Sequence, residues 1–399
     1  MTAPTDAASP ETIPAVAIIG IACRFPGATG PEAFWQMLER GDDGLRRVAP
    51  GPGADADLRP VCFSLDDRYC FDAAFFGIPP AQAALMDPQH RVFLECAWHA
   101  LEDAGHGERG QDARTGLYAA CGYNDYALRH VGPREFGAGA TEAFAAMIGN
   151  DKDYLASRAA HLLNLTGPTV MCQSACSSGL LCVHQAVQAL LSHEVDTALA
   201  GAASVSVALE DGYLPEPGGV MSPAARIAPL SADADGIVGG NGAAVVVLKR
   251  LADARADGDH VHATILGSAA NNDGAARAGF TAPGVDGQRR VLREALDLSG
   301  LAPDDIGYIE AHGTGTPLGD PIEMQAIHDI YGPGRTPAVV GSVKGNTGHL
   351  NAAAGLAGLI KVVGALRRQT VPPTRNLSAP NPALGLDGSR FSLDPAALD

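Results

Sequence analysis

Three short segments place a thiol, two imidazoles and an ammonium where these groups could do chemistry together. The first segment is TVMCQSACSSGLLCVHQ, in which Cys176 follows an apolar run and precedes residues with helical spacing. A cysteine at a helix N-terminus meets free N–H groups and the positive end of the helix dipole, which stabilise a thiolate. Such a thiolate suits nucleophilic acyl transfer. The alternative is a small buried hydrophobic side chain, the common environment of cysteine.

The second segment is YIEAHGTGTPLGDPIE, in which His312 follows the end of a predicted strand. The glycines of HGTGT allow the backbone to fold closely around the imidazole, and its threonines can hydrogen-bond the turn. A histidine in such a turn is typical of active sites in α/β proteins. The alternative is a histidine that caps a helix or bonds a carbonyl.

The third segment is VVGSVKGNTGHLNAAAGLAGLIK, in which a predicted strand leads to Lys344, and His349 precedes an alanine-rich helix. Five positions apart on one loop, both side chains can point into one site. The alternative is a solvated lysine and a surface histidine, which the apolar surroundings disfavour. Metal binding by His312 and His349 would need a third ligand, and neither an HExxH motif nor a Cys/His spacing supplies one.

The elements around these segments predict an α/β protein made of two similar halves. Residues 168–191 and 338–366 share one order of apolar strand, tight polar loop and Ala/Gly/Leu-rich helix. Residues 16–21 predict a buried strand, and residues 80–104 predict a long helical stretch whose regular part begins after Pro88.

Composition and charge exclude several classes of protein. The 399 residues carry 28 basic and 45 acidic side chains, a formal net charge of −17, which disfavours nucleic acid and anionic membranes as partners. No apolar run reaches the ~20 residues of a membrane span, and the first residues lack a secretory signal. Eight cysteines without a C-x-x-C pair favour a reduced, cytoplasmic protein. We expect a flexible tail over residues 1–12, a first half with the nucleophilic cysteine over 13–255 and a second half with both histidines over 256–399.

The chain resembles the β-ketoacyl synthases of the thiolase superfamily, specifically the ketosynthase domains of type I modular polyketide synthases. The resemblance rests on the order of three features, which are Cys176 at a helix N-terminus, HGTGT and K-x-N-x-GH. The resemblance covers nearly the whole chain from Ile13, including VAIIGIACRFPGA, PEAFWQMLERG, MDPQHRVFLECAWHALEDAG, LNLTGP and NNDG. The GNDKDYL stretch, together with Gln173, is similar to the branch found in hybrid peptide–polyketide systems.

The resemblance implies a thiolase-like, five-layered α/β/α/β/α fold and a decarboxylative Claisen condensation in polyketide biosynthesis. Cys176 would take an acyl chain from a carrier-protein phosphopantetheine. His312 and His349, as neutral donors, would stabilise the enolate formed when a malonyl thioester loses CO₂. Lys344 would orient His349 and Glu310 through charge-assisted bonds. The resemblance implies no metal and no bound cofactor, an acyl carrier protein as partner, and a homodimer.

Two departures from the family pattern define the alternatives. Residues 224–232 replace the family's D-G-x-C-R-x-F-D-A segment, so that Ala228, Leu230 and Ser231 stand where Arg, Phe and Asp are usual. The chain stops at Asp399, before the family's closing strands and their oxyanion-hole turn. The alternatives are a non-condensing acyl transferase or gatekeeper, and an inactive ketosynthase-like dimerisation partner. The retained cysteine and histidines argue against the latter.

Overall fold

The computed structural model describes residues 14–51, 53, 55–106, 114–132, 139–275, 277, 279 and 283–398, and the predicted tail lies outside these residues. The strands are β1 Val16–Phe25, β2 Ala28–Thr29, β3 Leu45–Arg47, β4 Val61–Phe63, β5 Thr115–Cys121, β6 Thr169–Met171, β7 Thr197–Ser204, β8 Gly242–Arg250, β9 Ala263–Ile265, β10 Tyr308–Glu310, β11 Ala338–Gly341 and β12 Phe391–Ser392. The helices are α1 Pro31–Glu39, α2 Pro80–Leu85, α3 Pro88–Asp103, α4 Ala140–Asn150, α5 Asp153–Leu163, α6 Ser178–Leu191, α7 Leu251–Asp257, α8 Val285–Ser299, α9 Gly319–Tyr331, α10 Lys344–Thr347 and α11 Ala354–Arg368.

A mixed seven-stranded sheet forms the larger of the two main layers of strands. Its order is β2-β1-β8-β7-β5-β6, and β9 also pairs with β1. Strand β8 runs antiparallel to both neighbours, whereas β5 runs parallel to β7 and β6. Val245, Val246 and Val247 in β8 are fully buried on alternating faces, which requires helices on both sides of the sheet.

The helices on the two faces of this sheet give the molecule its layers. Helices α3 and α5 pack on one face, and α1, α6 and α11 pack on the other. Beyond α11 lies a parallel sheet in the order β10-β11-β12, which in turn packs against α9 through Met324 and Ile327. Helix, sheet, helix, sheet and helix therefore follow one another, and the predicted five-layered α/β/α/β/α architecture is confirmed.

The two helices of the middle layer begin with the same local geometry. Each follows a 3₁₀ turn, over residues 175–177 before α6 and 351–353 before α11. The first residue of each turn has a positive φ, 50° at Ala175 and 46° at Asn351. A Cβ on Gly179 would lie 2.8 Å from the Ala352 carbonyl oxygen, so this glycine lets the two helix starts approach closely. The similarity predicted between the two halves is therefore visible at the site-bearing turns.

Within the ranges given above, every helix is too short or too polar to cross a membrane. The long helical stretch predicted over residues 80–104 is divided into α2 and α3. Pro88 is the first residue of α3, where the missing N–H of proline leaves no helical bond unmade. The side chain of Asp87 caps this helix by accepting the Gln89 N–H at 2.9 Å.

Candidate active site

Cys176 lies in the turn between β6 and α6, at the N-terminus of a helix as predicted. The residue before it, Ala175, has a φ of 50°, a conformation uncommon for a residue with a side chain. The turn is held by the Ser174 N–H, which donates to the Ser178 hydroxyl at 2.8 Å, and by the Ser177 N–H, which donates to the Ser174 carbonyl at 3.2 Å. Strain of this kind persists where surrounding structure enforces it, often at functional sites. The turn leaves Cys176 half-buried rather than enclosed in the core.

His312 lies in the turn that follows β10, and its backbone is fixed by a residue that the sequence analysis missed. Glu323 on α9 accepts the His312 N–H at 2.6 Å with one carboxylate oxygen and the Gly313 N–H at 2.8 Å with the other. Burial raises the pKa of this carboxyl group. Glu323 belongs to the same motif-bearing segment, but only the fold shows that the first turns of α9 point back at the histidine.

His349 is held between two stretches of backbone. Its N–H donates to the Val238 carbonyl at 2.9 Å, and its carbonyl accepts the Gly240 N–H at 3.0 Å. In the side chain, Nδ1 accepts the backbone N–H of Asn351 at 3.0 Å. A neutral imidazole that accepts at Nδ1 carries its proton on Nε2. His349 therefore presents an Nε2–H donor on the other side of the ring.

The structure corrects the partners that the sequence analysis expected for Lys344. Its buried Nζ donates to the backbone carbonyl of His312, not to His349 or Glu310. The Glu310 carboxylate contacts Lys361 at 2.8 Å and accepts the Val343 N–H at 2.7 Å. These two partners hold the carboxylate against the backbone of the turn. Lys344 is thus linked to Glu310 through the neighbouring peptide unit.

The structure brings the three predicted side chains together from distant parts of the chain. The Cys176 sulfur and one ring nitrogen each from His312 and His349 all lie within 4.8 Å of one another. The two imidazole rings are perpendicular, at 86°, with their centroids 5.7 Å apart. His312 is exposed, whereas Cys176 and His349 are half-buried. A thioester carbonyl on the sulfur would therefore lie beside two imidazoles in a cleft that opens to solvent.

Both imidazoles are neutral at pH 7. The positive charge of Lys344 is the main reason that the pKa of His312 lies well below its usual value, and desolvation adds to this effect. Burial lowers the pKa of His349 to about 4, with a further contribution from Lys344. A neutral imidazole can donate an N–H to developing negative charge without first losing a proton.

The spacing of the sulfur and the two ring nitrogens would also suit a metal ion, but the chemistry of His349 argues against one. Ligation through Nε2 would require the proton to move to Nδ1, where it would face the Asn351 N–H. Two donors facing one another in a half-buried site are unfavourable. The arrangement therefore fits hydrogen-bond donation better than metal ligation.

Two family models match most of the chain. One is described as "Beta-ketoacyl synthase, N-terminal domain" and matches residues 14–254, and the other as "Beta-ketoacyl synthase, C-terminal domain" and matches residues 262–378. Among curated relatives, one component of the phenolphthiocerol/phthiocerol polyketide synthase of Mycobacterium tuberculosis is 43% identical over 400 residues, covering 94% of this chain and 27% of that protein. A different component of the phenolphthiocerol/phthiocerol polyketide synthase, from Mycobacterium bovis, is 42% identical over 408 residues. The match covers 98% of this chain and 22% of that protein.

The solved structures to which the chain is similar include ketosynthases. Ketosynthase twelve of the bacillaene polyketide synthase of Bacillus amyloliquefaciens superposes with a TM-score of 0.88 at 38% identity, covering 95% of this chain and 67% of that one. An oxazolomycin ketosynthase domain of Streptomyces albus superposes with a TM-score of 0.82 at 32% identity, with the same two coverages. The chain spans about a quarter of the length of the curated relatives it matches.

Proposed function

Because the chain belongs to the β-ketoacyl synthase family and resembles the ketosynthases of modular polyketide synthases, we propose that it catalyses decarboxylative Claisen condensation. The observation that carries this proposal is the meeting of one thiol and two neutral imidazoles within 4.8 Å. Acyl transfer alone needs a nucleophile, whereas decarboxylation also needs donors for an enolate oxygen. The site offers both.

The first step loads the nucleophile. The Cys176 thiolate attacks the carbonyl carbon of an acyl thioester carried by phosphopantetheine, a new C–S bond forms, and the bond from that carbon to the pantetheine sulfur breaks. The pantetheine leaves as a thiolate, which takes up the proton that the Cys176 thiol lost. The positive end of the α6 dipole lies at the turn that carries Cys176 and favours the negative charge that develops on the carbonyl oxygen. The product is an acyl chain on Cys176.

The second step makes the carbon–carbon bond. A malonyl thioester binds with its carbonyl oxygen at the Nε2–H of His349 and at the His312 imidazole. The bond to the carboxylate breaks, CO₂ leaves, and its electron pair forms an enolate held by the two donors. The enolate carbon attacks the acyl carbonyl on Cys176, the C–S bond breaks, and the thiolate is restored.

Several further features of the family belong to the proposal. The partner would be an acyl carrier protein that supplies both thioesters, and the chain would form a homodimer. It would need no bound metal or cofactor, since the pantetheine arrives on the carrier, and the His349 tautomer supports this for metals. The eight free cysteines support a cytoplasmic location. We propose residues 13–255 and 256–399 as the two halves.

The two neutral imidazoles favour condensation over the alternatives. A gatekeeper that only passes an acyl chain onward would use Cys176 but would have no need for donors at an enolate. An inactive dimerisation partner would need neither. Retention of His312 and His349 at the sulfur therefore supports condensation.

The test uses the full chain with an acyl-pantetheine thioester and ¹⁴C-malonyl-pantetheine. We expect acyl mass on Cys176, release of CO₂ and a β-ketoacyl product. Cys176→Ala should abolish the product, while Cys70→Ala, which removes an exposed free cysteine, should leave it unchanged. Chain transfer without CO₂ would favour the gatekeeper. Product formation that survives Cys176→Ala would overturn the proposal.

A further inference from the structure

A buried lysine behind the site has no place in the mechanism given above. Lys361 on α11 is 1% exposed, and its Nζ lies 2.8 Å from the Glu310 carboxylate without hydrogen-bond alignment. The same Nζ lies 5.6 Å from the centre of the Tyr308 ring. A buried ammonium with no aligned hydrogen-bond acceptor among the described residues lowers the free energy of unfolding. Its presence here therefore points to a role other than stability.

The Glu310 carboxylate that Lys361 contacts is occupied at both oxygens. One oxygen accepts the Tyr308 hydroxyl as well as facing the ammonium, and the other accepts the Val343 N–H at 2.7 Å. Burial raises the pKa of Tyr308 well above its usual value, and the negative charge of Glu310 adds to this, so the hydroxyl keeps its proton and donates.

Two glycines leave room for this cluster. A Cβ on Gly358 would lie 3.0 Å from the Glu310 side chain, and a Cβ on Gly341 would lie 3.0 Å from the Tyr308 hydroxyl. These distances are tighter than ordinary contacts, so alanine at either position would press on the carboxylate or the phenol. The fold therefore leaves space for this cluster directly behind the turn after β11.

That turn is the one that carries the buried ammonium of the site. Val343 precedes α10, and its carbonyl accepts the Asn346 N–H at 2.9 Å, so its peptide orientation fixes the start of this short helix. Lys344 is the next residue, and its Nζ reaches the His312 carbonyl. A shift at Val343 would therefore move the charge that is the largest cause of the lowered pKa of His312 and a smaller cause of the lowered pKa of His349.

We propose that Lys361 is a positioning residue for the condensation, an inference that rests on the function proposed above. Its ammonium holds the Glu310 carboxylate against the Val343 N–H. The carboxylate in turn fixes the peptide from which Lys344 extends. Lys361 touches no substrate; it acts on the histidines through Glu310 and the turn.

The test compares Lys361→Met with wild type in two half-reactions of the full chain, using acyl-pantetheine and malonyl-pantetheine. A catalytic group displaced by about 1 Å can lose about a hundredfold in rate, so we expect kcat for CO₂ release to fall about 10- to 100-fold. We expect KM for malonyl-pantetheine to change by less than about threefold, because substrate contacts remain. Acylation of Cys176, which the first half-reaction measures, should be preserved.

The double variant Lys361→Met with Glu310→Gln separates charge from packing. Its amide oxygen still accepts the Val343 N–H, and no buried carboxylate is left unpaired. It should therefore recover most of the CO₂ release that Lys361→Met loses. An equal loss in both variants would overturn the proposal.

Lys249→Met is the matched control for loss of a buried ion pair. Lys249 lies on β8, is 9% exposed at its side chain, and pairs with Asp259 at 2.7 Å. The variant should lose stability but, once folded, release CO₂ like wild type. If Lys361→Met does not fold, Tyr308→Phe removes one donor to Glu310 with little change in volume and should lower kcat in the same direction.

The outcomes separate the two proposals. If wild type is active and Lys361→Met is equally active, only the positioning role is overturned. The same conclusion follows if Lys361→Met does not fold and Tyr308→Phe is fully active. A wild type that forms acyl-Cys176 but releases no CO₂ overturns the proposed condensation and this inference with it.

Discussion

The backbone N–H of Asn351 and the Nδ1 atom of His349 are 3.0 Å apart, and this one bond decides which ring nitrogen faces the thiol. Asn351 is also the first residue of the turn before α11, and its φ is 46°, in the left-handed region. The backbone of the turn before α11 thus sets the tautomer of a side chain in the site.

We expect His349→Ala to lower the rate of CO₂ release by about 10²- to 10³-fold, the usual effect of removing one donor to a developing oxyanion. His349→Gln keeps an N–H donor in a side chain of similar reach and should retain more activity. Acylation of Cys176 should continue in both variants, and intact-protein mass spectrometry measures it. Equal CO₂ release from His349→Ala and wild type would contradict the donor role.

We expect Lys344→Met to move the acid limb of the pH profile for CO₂ release toward higher pH. The charge of Lys344 is the largest cause of the lowered pKa of His312 and a smaller cause of that of His349. Without it, both pKa values rise toward the ordinary value of 6.5, so protonation begins at a higher pH as acid is added. A pH–rate profile of the folded variant checks this, and an unmoved acid limb would contradict it.

We expect His90→Met to stabilise the fold, and more so at acid pH. His90 is 3% exposed, neither ring nitrogen finds a partner among the described residues, and burial lowers its pKa to about 3. The unfolded chain therefore binds a proton below pH 6.5 that the folded chain does not, so folding stability falls as pH drops. Replacement should recover up to about 1.4 kcal/mol per pH unit below 6.5.

Urea unfolding of wild type and His90→Met at pH 7.5 and pH 5.5 measures this gain. His99→Met serves as a control, because His99 is exposed and pairs with Glu102. A gain that does not grow between the two pH values would show that burial of His90 is not the cause.

We expect Gly179→Ala to destabilise the fold by about 1–3 kcal/mol, as overpacking usually does. Its Cβ would meet the Ala352 carbonyl oxygen at 2.8 Å and the Leu356 side chain at 3.0 Å. The start of α6 would have to move, and Cys176 with it, so activity should fall in the folded fraction as well. Gly307→Ala, where a Cβ meets nothing within 4 Å, is the matched control. Thermal unfolding and acylation rates distinguish the two variants.

The fold class and the three reactive side chains could be predicted from the sequence because their signals are local. Each of Cys176, His312 and His349 lies in a short segment with its own turn residues, and the order of the segments carries the family resemblance. The strand and helix patterns along the chain predict an α/β protein made of two similar halves. The five layers are expected only because these motifs resemble the ketosynthase family.

The supporting contacts could not be predicted because they depend on the packing of elements far apart in sequence. Glu323 reaches His312 only because α9 folds back on the turn after β10. Lys361 reaches Glu310 only because α11 lies against β10. The expected bonds of Lys344 were wrong for the same reason, since sequence spacing cannot show that its ammonium ends at the His312 carbonyl.

The close contact between the starts of α6 and α11 constrains how segments of this chain could be exchanged with those of its relatives. The thiol lies in the turn before α6 and an imidazole lies in the loop before α11, and a glycine in each helix leaves room for atoms of the other. In a chimera that joins the first half of one synthase to the second half of another, the start of α6 and the start of α11 would come from different proteins and would not fit each other. Engineering by exchange of halves must therefore transplant both helix starts as one unit, even though they lie far apart in the gene.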